Sequence, residues 1–247
     1  MNQPIAIQSW CFREFKPLPD FFKQLKACGV SATELCGVHT SFNDTSTFAS
    51  TIEQFQKSGV KIVAIGVESV TGNIDKDRPR FEFCKQAGVK NMSISFAPEL
   101  MDNDFAGLKN VEKLAEQYDL RLGIHNHGGY DWLGNDRILK HVFARTGERI
   151  GLHMDTAWAI DAKQDPVKWV EIFGKRLFGV HIKDFTYTPD RQPHDVVIGT
   201  GNLDLPGLMR WLKDGGFNGP LVIEYEGDAA NPVPALADCV ERLKKLL

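Results

Sequence analysis

The sequence has little that would tie it to a membrane or to nucleic acid. No apolar run approaches the roughly 20 residues of a membrane-spanning helix. The N-terminal residues Met-Asn-Gln-Pro-Ile-Ala-Ile lack a basic segment followed by a long apolar core, so no secretory signal is predicted. The 29 basic and 32 acidic side chains leave a formal net charge of −3, which gives no overall attraction to nucleic acid or to a membrane surface.

Cysteine is scarce and is not arranged as a framework. The five cysteines are Cys11, Cys28, Cys36, Cys84 and Cys239. Their number is odd, they are widely scattered, and no pair has CxxC spacing, which favours reduced thiols over disulfides. Reduced thiols are typical of a cytoplasmic protein, and that location is the expectation.

What the chain does contain is a regular succession of short apolar runs. The predicted strands are Ile5–Trp10, Ala32–Leu35, Ile62–Val67, Met92–Phe96, Leu120–His125, Ile150–Asp155, Phe178–Ile182 and Leu221–Tyr225. Most begin roughly 30 residues apart, the length of a strand-helix unit. The amphipathic segments between them predict helices at Leu18–Cys28, Phe48–Ser58, Phe81–Ala87, Leu108–Tyr118, Ile138–Thr146, Val167–Phe173, Leu208–Asp214 and Pro234–Leu247. Several of these segments are followed by glycine, including Gly59 and Gly88, as at helix C-caps.

Eight strands alternating with eight helices predict a parallel α/β sheet with right-handed crossovers. At 247 residues, a closed (β/α)8 TIM barrel fits better than an open doubly wound sheet. The open sheet would be favoured by a glycine-rich nucleotide loop after the first strand, but Ser9-Trp10-Cys11-Phe12 is not one. No linker or low-complexity segment interrupts the chain, so residues 1–247 are predicted to form a single domain.

Four of the later strands end in side chains that can bind metal. These ends carry His125 and His127, Asp155, His181 and Lys183, and Glu224 and Glu226. Catalytic groups of such barrels lie at the C-terminal strand ends, so these side chains are expected to share one site. Imidazole and carboxylate together suit Mn, Fe, Co, Ni or Zn. His153, two residues before Asp155, is expected to face the same way but deeper in the barrel.

The whole chain resembles the xylose isomerase-like TIM-barrel superfamily, the group of sugar phosphate isomerases and epimerases. The resembling segments are Ile-His-Asn-His-Gly, His-Met-Asp-Thr-Ala-Trp, Val-His-Ile-Lys-Asp, Gly-Thr-Gly-Asn-Leu-Asp and Val-Ile-Glu-Tyr-Glu. The resemblance implies one divalent metal ion, with Mn as the expected ion and Zn, Co or Fe as alternatives. It assigns the metal ligands by position to His125, Asp155, His181 and Glu224.

Three positions depart from the family pattern, and at one of them Tyr187 stands where some epimerases carry a substrate-binding arginine. His125 stands where ketose 3-epimerases have a glutamate that exchanges the substrate proton, which leaves Glu224 as the only carboxylate of that pair. Inosose dehydratases and lyases that cleave 3-keto-glycosides resemble the chain better at this point, and the lyases have a histidine like His127. Trp158 stands where many relatives have a substrate-binding histidine and would provide a flat apolar wall.

The chemistry that follows is enolisation of a small polyhydroxy ketone. A bound cation would polarise the ketone and stabilise an enediolate. His127 is the first candidate for the base, because its unperturbed pKa lies near neutral pH. Glu224 could act as ligand and base together, with Glu226 or Lys183 as the partner acid. The leading expectation is an isomerase or epimerase, and the alternative is a dehydratase or lyase that eliminates a neighbouring oxygen.

The expected substrate is a sugar or cyclitol. Its expected contacts are Trp10, Glu34, Glu68, Trp158 and Glu226. Glu34 and Glu68 end strands, where they would bind sugar hydroxyls or else pair with Lys183 or Arg13. The tryptophans would stack on a sugar ring, although a core position for Trp10 is nearly as compatible with the sequence. The Gly199-Thr-Gly201 turn lacks a neighbouring lysine-serine element, so no phosphorylated substrate is inferred.

Two other classes and the oligomeric state stay open. The superfamily includes endonuclease IV, which would need three zinc ions and a basic channel, of which the net charge of −3 gives no sign. A barrel that only binds sugar is the third class. A homo-oligomer is compatible with the sequence.

Overall fold

Eight parallel strands close into a barrel in the computed structural model, which describes residues 4–128 and 131–247. The barrel strands are β1 (Ile5–Gln8), β2 (Ala32–Leu35), β3 (Lys61–Val70), β4 (Asn91–Phe96), β5 (Arg121–His125), β6 (Ile150–Asp155), β7 (Leu177–Ile182) and β10 (Leu221–Ile223). Each strand pairs with its predecessor in this order, and β10 pairs with β1 to close the ring. The predicted (β/α)8 barrel is therefore confirmed.

Nine α-helices lie in the described ranges. They are α1 (Leu18–Ala27), α2 (Phe48–Ser58), α3 (Ile74–Ala87), α4 (Asp102–Tyr118), α5 (Asp136–Phe143), α6 (Thr156–Asp161), α7 (Pro166–Phe173), α8 (Leu205–Asp214) and α9 (Val233–Lys244). The prediction missed α6. It also began the third helix seven residues late, since the Asn73 side chain caps α3 by accepting from the Asp75 and Lys76 amides.

The burial pattern explains why the chain forms this barrel. Every residue of β6 and β7 is buried on both faces, as expected of parallel strands covered by helices outside and by layered side chains inside. Helices α2 and α3 end as predicted at Gly59 and Gly88. Both glycines have φ values of 70°, in the left-handed region that glycine tolerates.

Three strand ends differ from the prediction in ways that shape the mouth of the barrel. β1 ends at Gln8, so Trp10 lies in a 3-10 turn beyond it. β10 ends at Ile223, so Glu224 follows the strand rather than belonging to it. β3 continues to Val70, which carries Glu68 inside the strand. The turn expected after His127 includes Gly129, which lies outside the described residues.

An antiparallel hairpin follows the seventh barrel strand and was not predicted. It consists of β8 (Asp184–Tyr187) and β9 (Pro193–Val196), and it lies outside the closed ring. The fully buried Asp184 carboxylate anchors the loop after it by accepting four backbone N–H groups. The donors and distances are Gly199 at 2.9 Å, Gly201 at 2.9 Å, Asn202 at 2.8 Å and Leu203 at 3.0 Å.

Two findings bear on the composition. All five cysteines are buried and free of disulfides, as expected. Within residues 4–128 and 131–247, no helix combines the length and the apolar character that a membrane crossing requires.

Replacing Asp184 by Asn should destabilise the fold. An amide has one acceptor oxygen and one donor nitrogen, so two of the four backbone N–H groups would face another donor. Each buried polar group left unpaired costs about 1–3 kcal/mol, and we expect a loss of about 2–4 kcal/mol in the free energy of unfolding, measured by urea titration. Asp190→Asn, at an exposed turn, is the matched control. Equal stability of both variants would contradict the anchoring role.

Candidate metal centre and cavity

Four side chains from consecutive barrel strands meet at one point, as the strand ends predicted. His125, Asp155, His181 and Glu224 each offer one ligand atom, and these atoms all lie within 4.8 Å of one another. His181 Nδ1 is 3.1 Å from both His125 Nε2 and Glu224 Oε2, and His125 Nε2 is 3.8 Å from Asp155 Oδ2. All four are buried, and Glu224 keeps about a tenth of its side chain exposed. The geometry is that of a group which could hold a metal ion.

Asp155 has one engaged oxygen and one free oxygen. Its Oδ1 caps α6 by accepting the Trp158 amide at 2.8 Å. Its Oδ2 is buried and has no hydrogen-bond partner among the described residues. An unpaired buried carboxylate oxygen is costly, and a cation placed among the four ligand atoms would satisfy it. The donor set and this oxygen therefore fit a divalent metal, most readily one that accepts both imidazole and carboxylate.

Asn126 fixes the position of Asp155 and was not predicted. Its side-chain amide donates to the Asp155 carbonyl at 2.9 Å and accepts from the Asp155 amide at 2.8 Å. This pair of bonds continues the β5–β6 ladder through a side chain, so the two neighbouring strand ends stay in register. The Asn in Ile-His-Asn-His was visible in the sequence, but nothing there indicated that it binds backbone.

The ionisable groups of the site shift one another's pKa values. Burial alone would lower the pKa of His181, but the Glu34 and Glu224 carboxylates outweigh it and hold that pKa well above its usual value. Burial alone would raise the pKa of Glu224, but Lys183 and His181 hold it well below its usual value. Burial raises the pKa of Asp155 to about 7, with Lys183 acting against the shift and Glu224 adding to it.

A cavity of about 750 Å³ opens beside these ligands. Its lining includes Trp10, Glu68, His125, His127, Trp158, Glu224 and Glu226. The His127 ring stacks on Trp158 with centroids 4.4 Å apart and planes 27° apart. Burial lowers the pKa of His127, which keeps the imidazole neutral near pH 7. The cavity thus joins a metal-competent end, a neutral imidazole and flat aromatic walls.

Glu226 is held at the cavity wall by three groups. Its carboxylate accepts Trp10 Nε1 at 2.6 Å, is hydrogen-bonded to Lys183 Nζ, and lies 3.9 Å from Arg13. Lys183 itself is only 1% exposed and also faces Asp195 at 3.7 Å and Glu224 at 3.9 Å. Asp195, on the unpredicted strand β9, was missed because nothing in the sequence showed that a hairpin returns to the barrel mouth.

Two residues that were expected at the cavity, Lys183 and Glu34, lie outside its lining. Lys183 does not line the cavity; burial would lower its pKa, but Glu224 and Asp155 outweigh that effect and raise it, so the ammonium stays protonated among the carboxylates that it faces. Glu34 does not line the cavity either, because its fully buried carboxylate faces His181 and Ser93 below the site. Glu68 does line the cavity and pairs with Arg80 at 2.9 Å, not with Lys183 or Arg13.

Comparison with known proteins agrees with this architecture. A family model described as a xylose isomerase-like TIM barrel matches residues 22–246. The chain is 29% identical over 132 residues to the rhizopine catabolism protein MocC of Rhizobium meliloti, covering 48% of this chain and 40% of that protein. It is 25% identical over 145 residues to an inosose dehydratase of Clostridium botulinum, covering 51% of this chain and 48% of that protein. These alignments span less than half the length of either relative.

A solved structure extends the likeness over the whole fold. The IOLI protein, crystallised with a zinc atom, superposes with a TM-score of 0.77 at 18% identity and covers 99% of each chain. At that identity the likeness establishes the fold.

Uptake of a divalent cation should weaken as the solution is acidified. A metal ligand must be deprotonated, and below about pH 7 a proton occupies Asp155 in the metal-free protein. His181, whose pKa is also raised, must likewise release a proton when it binds the ion. We expect the Kd for Co²⁺, measured by calorimetry, to rise by about tenfold or more for each unit from about pH 7 to about pH 6. A Kd that does not change with pH would contradict this assignment of ligands.

Proposed function

The chain belongs to the xylose isomerase-like TIM barrel family, and we propose that it is a divalent-metal-dependent enzyme that enolises a small polyhydroxy ketone. The observation that carries the proposal is the meeting of His125, Asp155, His181 and Glu224 at one edge of an aromatic-walled cavity. These four residues would hold the ion. When bound, the ion supplies Lewis-acid polarisation of a substrate carbonyl.

His127 is proposed as the base. It lines the cavity two residues beyond His125 and stacks on Trp158, and partial desolvation lowers its pKa, so its imidazole is free to accept a proton at neutral pH. It would take the proton from the carbon next to the ketone. Glu224 is the second basic group at the cavity, but a carboxylate engaged with His181 and facing Lys183 is a weaker base.

The remaining polar groups would orient the substrate. Glu226, fixed by Lys183 and by Trp10 Nε1, presents its carboxylate to the cavity and would accept hydrogen bonds from sugar hydroxyls. Glu68 offers a second carboxylate, held by Arg80. Trp10 and Trp158 would pack on the apolar face of the ring. These groups suit an uncharged keto-sugar or keto-cyclitol.

We propose elimination as the outcome of this proton abstraction. After His127 takes the proton, a double bond forms next to the carbonyl, the neighbouring C–O bond breaks, and His127 can return its proton to the departing oxygen. One base suffices for this cycle. His125 in place of a second carboxylate supports it, and so does the likeness to an inosose dehydratase, whose name describes the loss of water from a keto-cyclitol. The proposal therefore puts elimination first, whereas the sequence analysis put isomerisation or epimerisation first.

Isomerisation or epimerisation is the second candidate, because two basic side chains, His127 and Glu224, face the same cavity. The same proton abstraction would then be followed by return of the proton to a different carbon or to the other face. A sugar epimerase needs two such groups, and the cavity provides them.

The product distinguishes the two outcomes. We expect incubation of the Mn²⁺-loaded enzyme with keto-inositol or 3-keto-glucoside to give an absorbing enone, and ketohexoses to give no such product. Deuterium incorporation from D₂O without any enone would select the isomerase or epimerase. Neither product nor deuterium exchange with all of these ketones would overturn the proposal.

Replacing His127 by Gln should lower kcat by about 10²–10⁴-fold, the range of a lost general base, while leaving metal content unchanged. His141→Gln is the matched control, since His141 lies exposed on α5 and should retain activity. Turnover that survives in His127→Gln would assign the base to another group, with Glu224→Gln as the next variant to assay.

A further inference from the structure

A second buried cluster lies behind the proposed ligands, deeper in the barrel. Glu34 on β2 and His153 on β6 meet the far side of His181, and all three are at most 1% exposed. Glu34 Oε2 is 3.1 Å from His181 Nε2 and 3.4 Å from His153 Nε2. None of these contacts involves the cavity, so this cluster has no direct role in holding substrate.

The two nitrogens of His181 face opposite sides of the site. Nε2 points to Glu34, whereas Nδ1 points to His125 and Glu224. A neutral imidazole carries one N–H and one lone pair, and which nitrogen has the proton depends on the bond that the other makes. A carboxylate can only accept, so Glu34 selects the form with the proton on Nε2. The proton that an ion displaces from His181 is then the one on Nδ1, whose lone pair would face the ion.

The Glu34 carboxylate is itself held in place. Its other oxygen, Oε1, accepts a short hydrogen bond from Ser93 Oγ on β4. Both oxygens are therefore engaged by separate strands, which fixes the rotation of the carboxylate as well as its position.

The strand pairing is irregular next to Glu34 and His153. The β2–β3 register shifts between Thr33 and Glu34, and the β6–β7 register shifts between Leu152 and His153. Such irregularities redirect side chains and are frequent next to active sites. Gly179 also leaves room for the His153 ring, since a Cβ there would lie 2.4 Å from His153 Nδ1. Two local departures from ideal pairing thus serve one buried contact.

We propose that Glu34 is a positioning residue of the metal centre, which holds His181 in the tautomer and ring orientation that present Nδ1 to the ion. The inference rests on the proposed function only in requiring that an ion binds at His125, Asp155, His181 and Glu224. His153 packs against the same carboxylate and completes the buried wall behind it.

A second ion at the deeper cluster is the competing interpretation, because Glu34, His153 and His181 also offer three atoms within 4.8 Å of one another. Such an ion would have to share His181 with the first, which requires that imidazole to lose both protons. The 3.1 Å separation of Glu34 Oε2 and His181 Nε2 is that of a direct hydrogen bond. A single ion per chain is therefore expected.

The test is Glu34→Gln in the full chain, with binding of Zn²⁺ and Co²⁺ measured by equilibrium dialysis. Ser93 donates to one side-chain oxygen, so the new amide turns its NH₂ toward His181 Nε2 and favours the wrong tautomer. We expect a loss of about 10–100-fold in metal affinity, the range for a lost partner behind a ligand. Long-range ¹H–¹⁵N NMR of the Zn²⁺-loaded wild type should show a protonated His181 Nε2.

Glu112→Gln is the matched control, since Glu112 is also a buried glutamate but accepts the Gly147 amide on the barrel's outer layer. It should keep metal affinity within about twofold of wild type. Ser93→Ala, which keeps the carboxylate, should give an intermediate loss and serves if Glu34→Gln fails to fold.

The outcomes separate the two proposals. Unchanged affinity in Glu34→Gln and Ser93→Ala, a His181 proton on Nδ1, or two ions per chain would overturn the positioning role and leave the proposed function intact. Failure of the wild-type protein to bind any divalent ion would overturn both.

Discussion

The structure depends on the burial of several carboxylates around one histidine. Glu34, Asp155 and Glu224 lie inside the barrel or at its mouth, where an unpaired charge is costly. His181 contacts Glu34 and Glu224 through its two nitrogens, and Lys183 faces Glu224 from the hairpin side. Asp155 keeps one oxygen without a partner, and burial raises its pKa to about 7. A divalent cation bound among these groups would resolve this imbalance.

The barrel builds this site from two sets of residues at different depths. The strand ends supply side chains that can touch an ion or a substrate, while the residues below and beside them orient those side chains. Asn126 joins the ends of β5 and β6, and Thr156 Oγ1 joins β6 to β7 through the Lys183 amide at 2.9 Å. Glu34 acts from the layer below. A site built on strand ends that are clamped in this way needs little reorganisation when it binds.

The sequence predicted the barrel and the meeting of His125, Asp155, His181 and Glu224 because both depend on local pattern. Strand period, helix period and glycine stops recur in every unit, and residues that end parallel strands come together at one edge. The same reasoning found His127, Trp158 and Glu226 at the cavity. These residues lie just beyond strand ends, where position along the chain determines position in space.

The contacts that were missed depend on features that are not local. Glu34 lies near the end of β2 and was expected at the cavity, yet its carboxylate is buried against His181 and Ser93 below the site, and no sequence pattern marks that depth. Asp195 reaches Lys183 only because an unpredicted hairpin returns to the barrel mouth. Lys183 directly follows β7, but nothing in the sequence indicated its burial among three carboxylates.

Anomalous diffraction from crystals soaked in Mn²⁺ or Zn²⁺ tests the central claim most directly. The account predicts one peak per chain, at about 2.0–2.3 Å from His125 Nε2, Asp155 Oδ2, His181 Nδ1 and Glu224 Oε2. A peak among Glu34, His153 and His181 instead, or no peak near these residues at all, would contradict it.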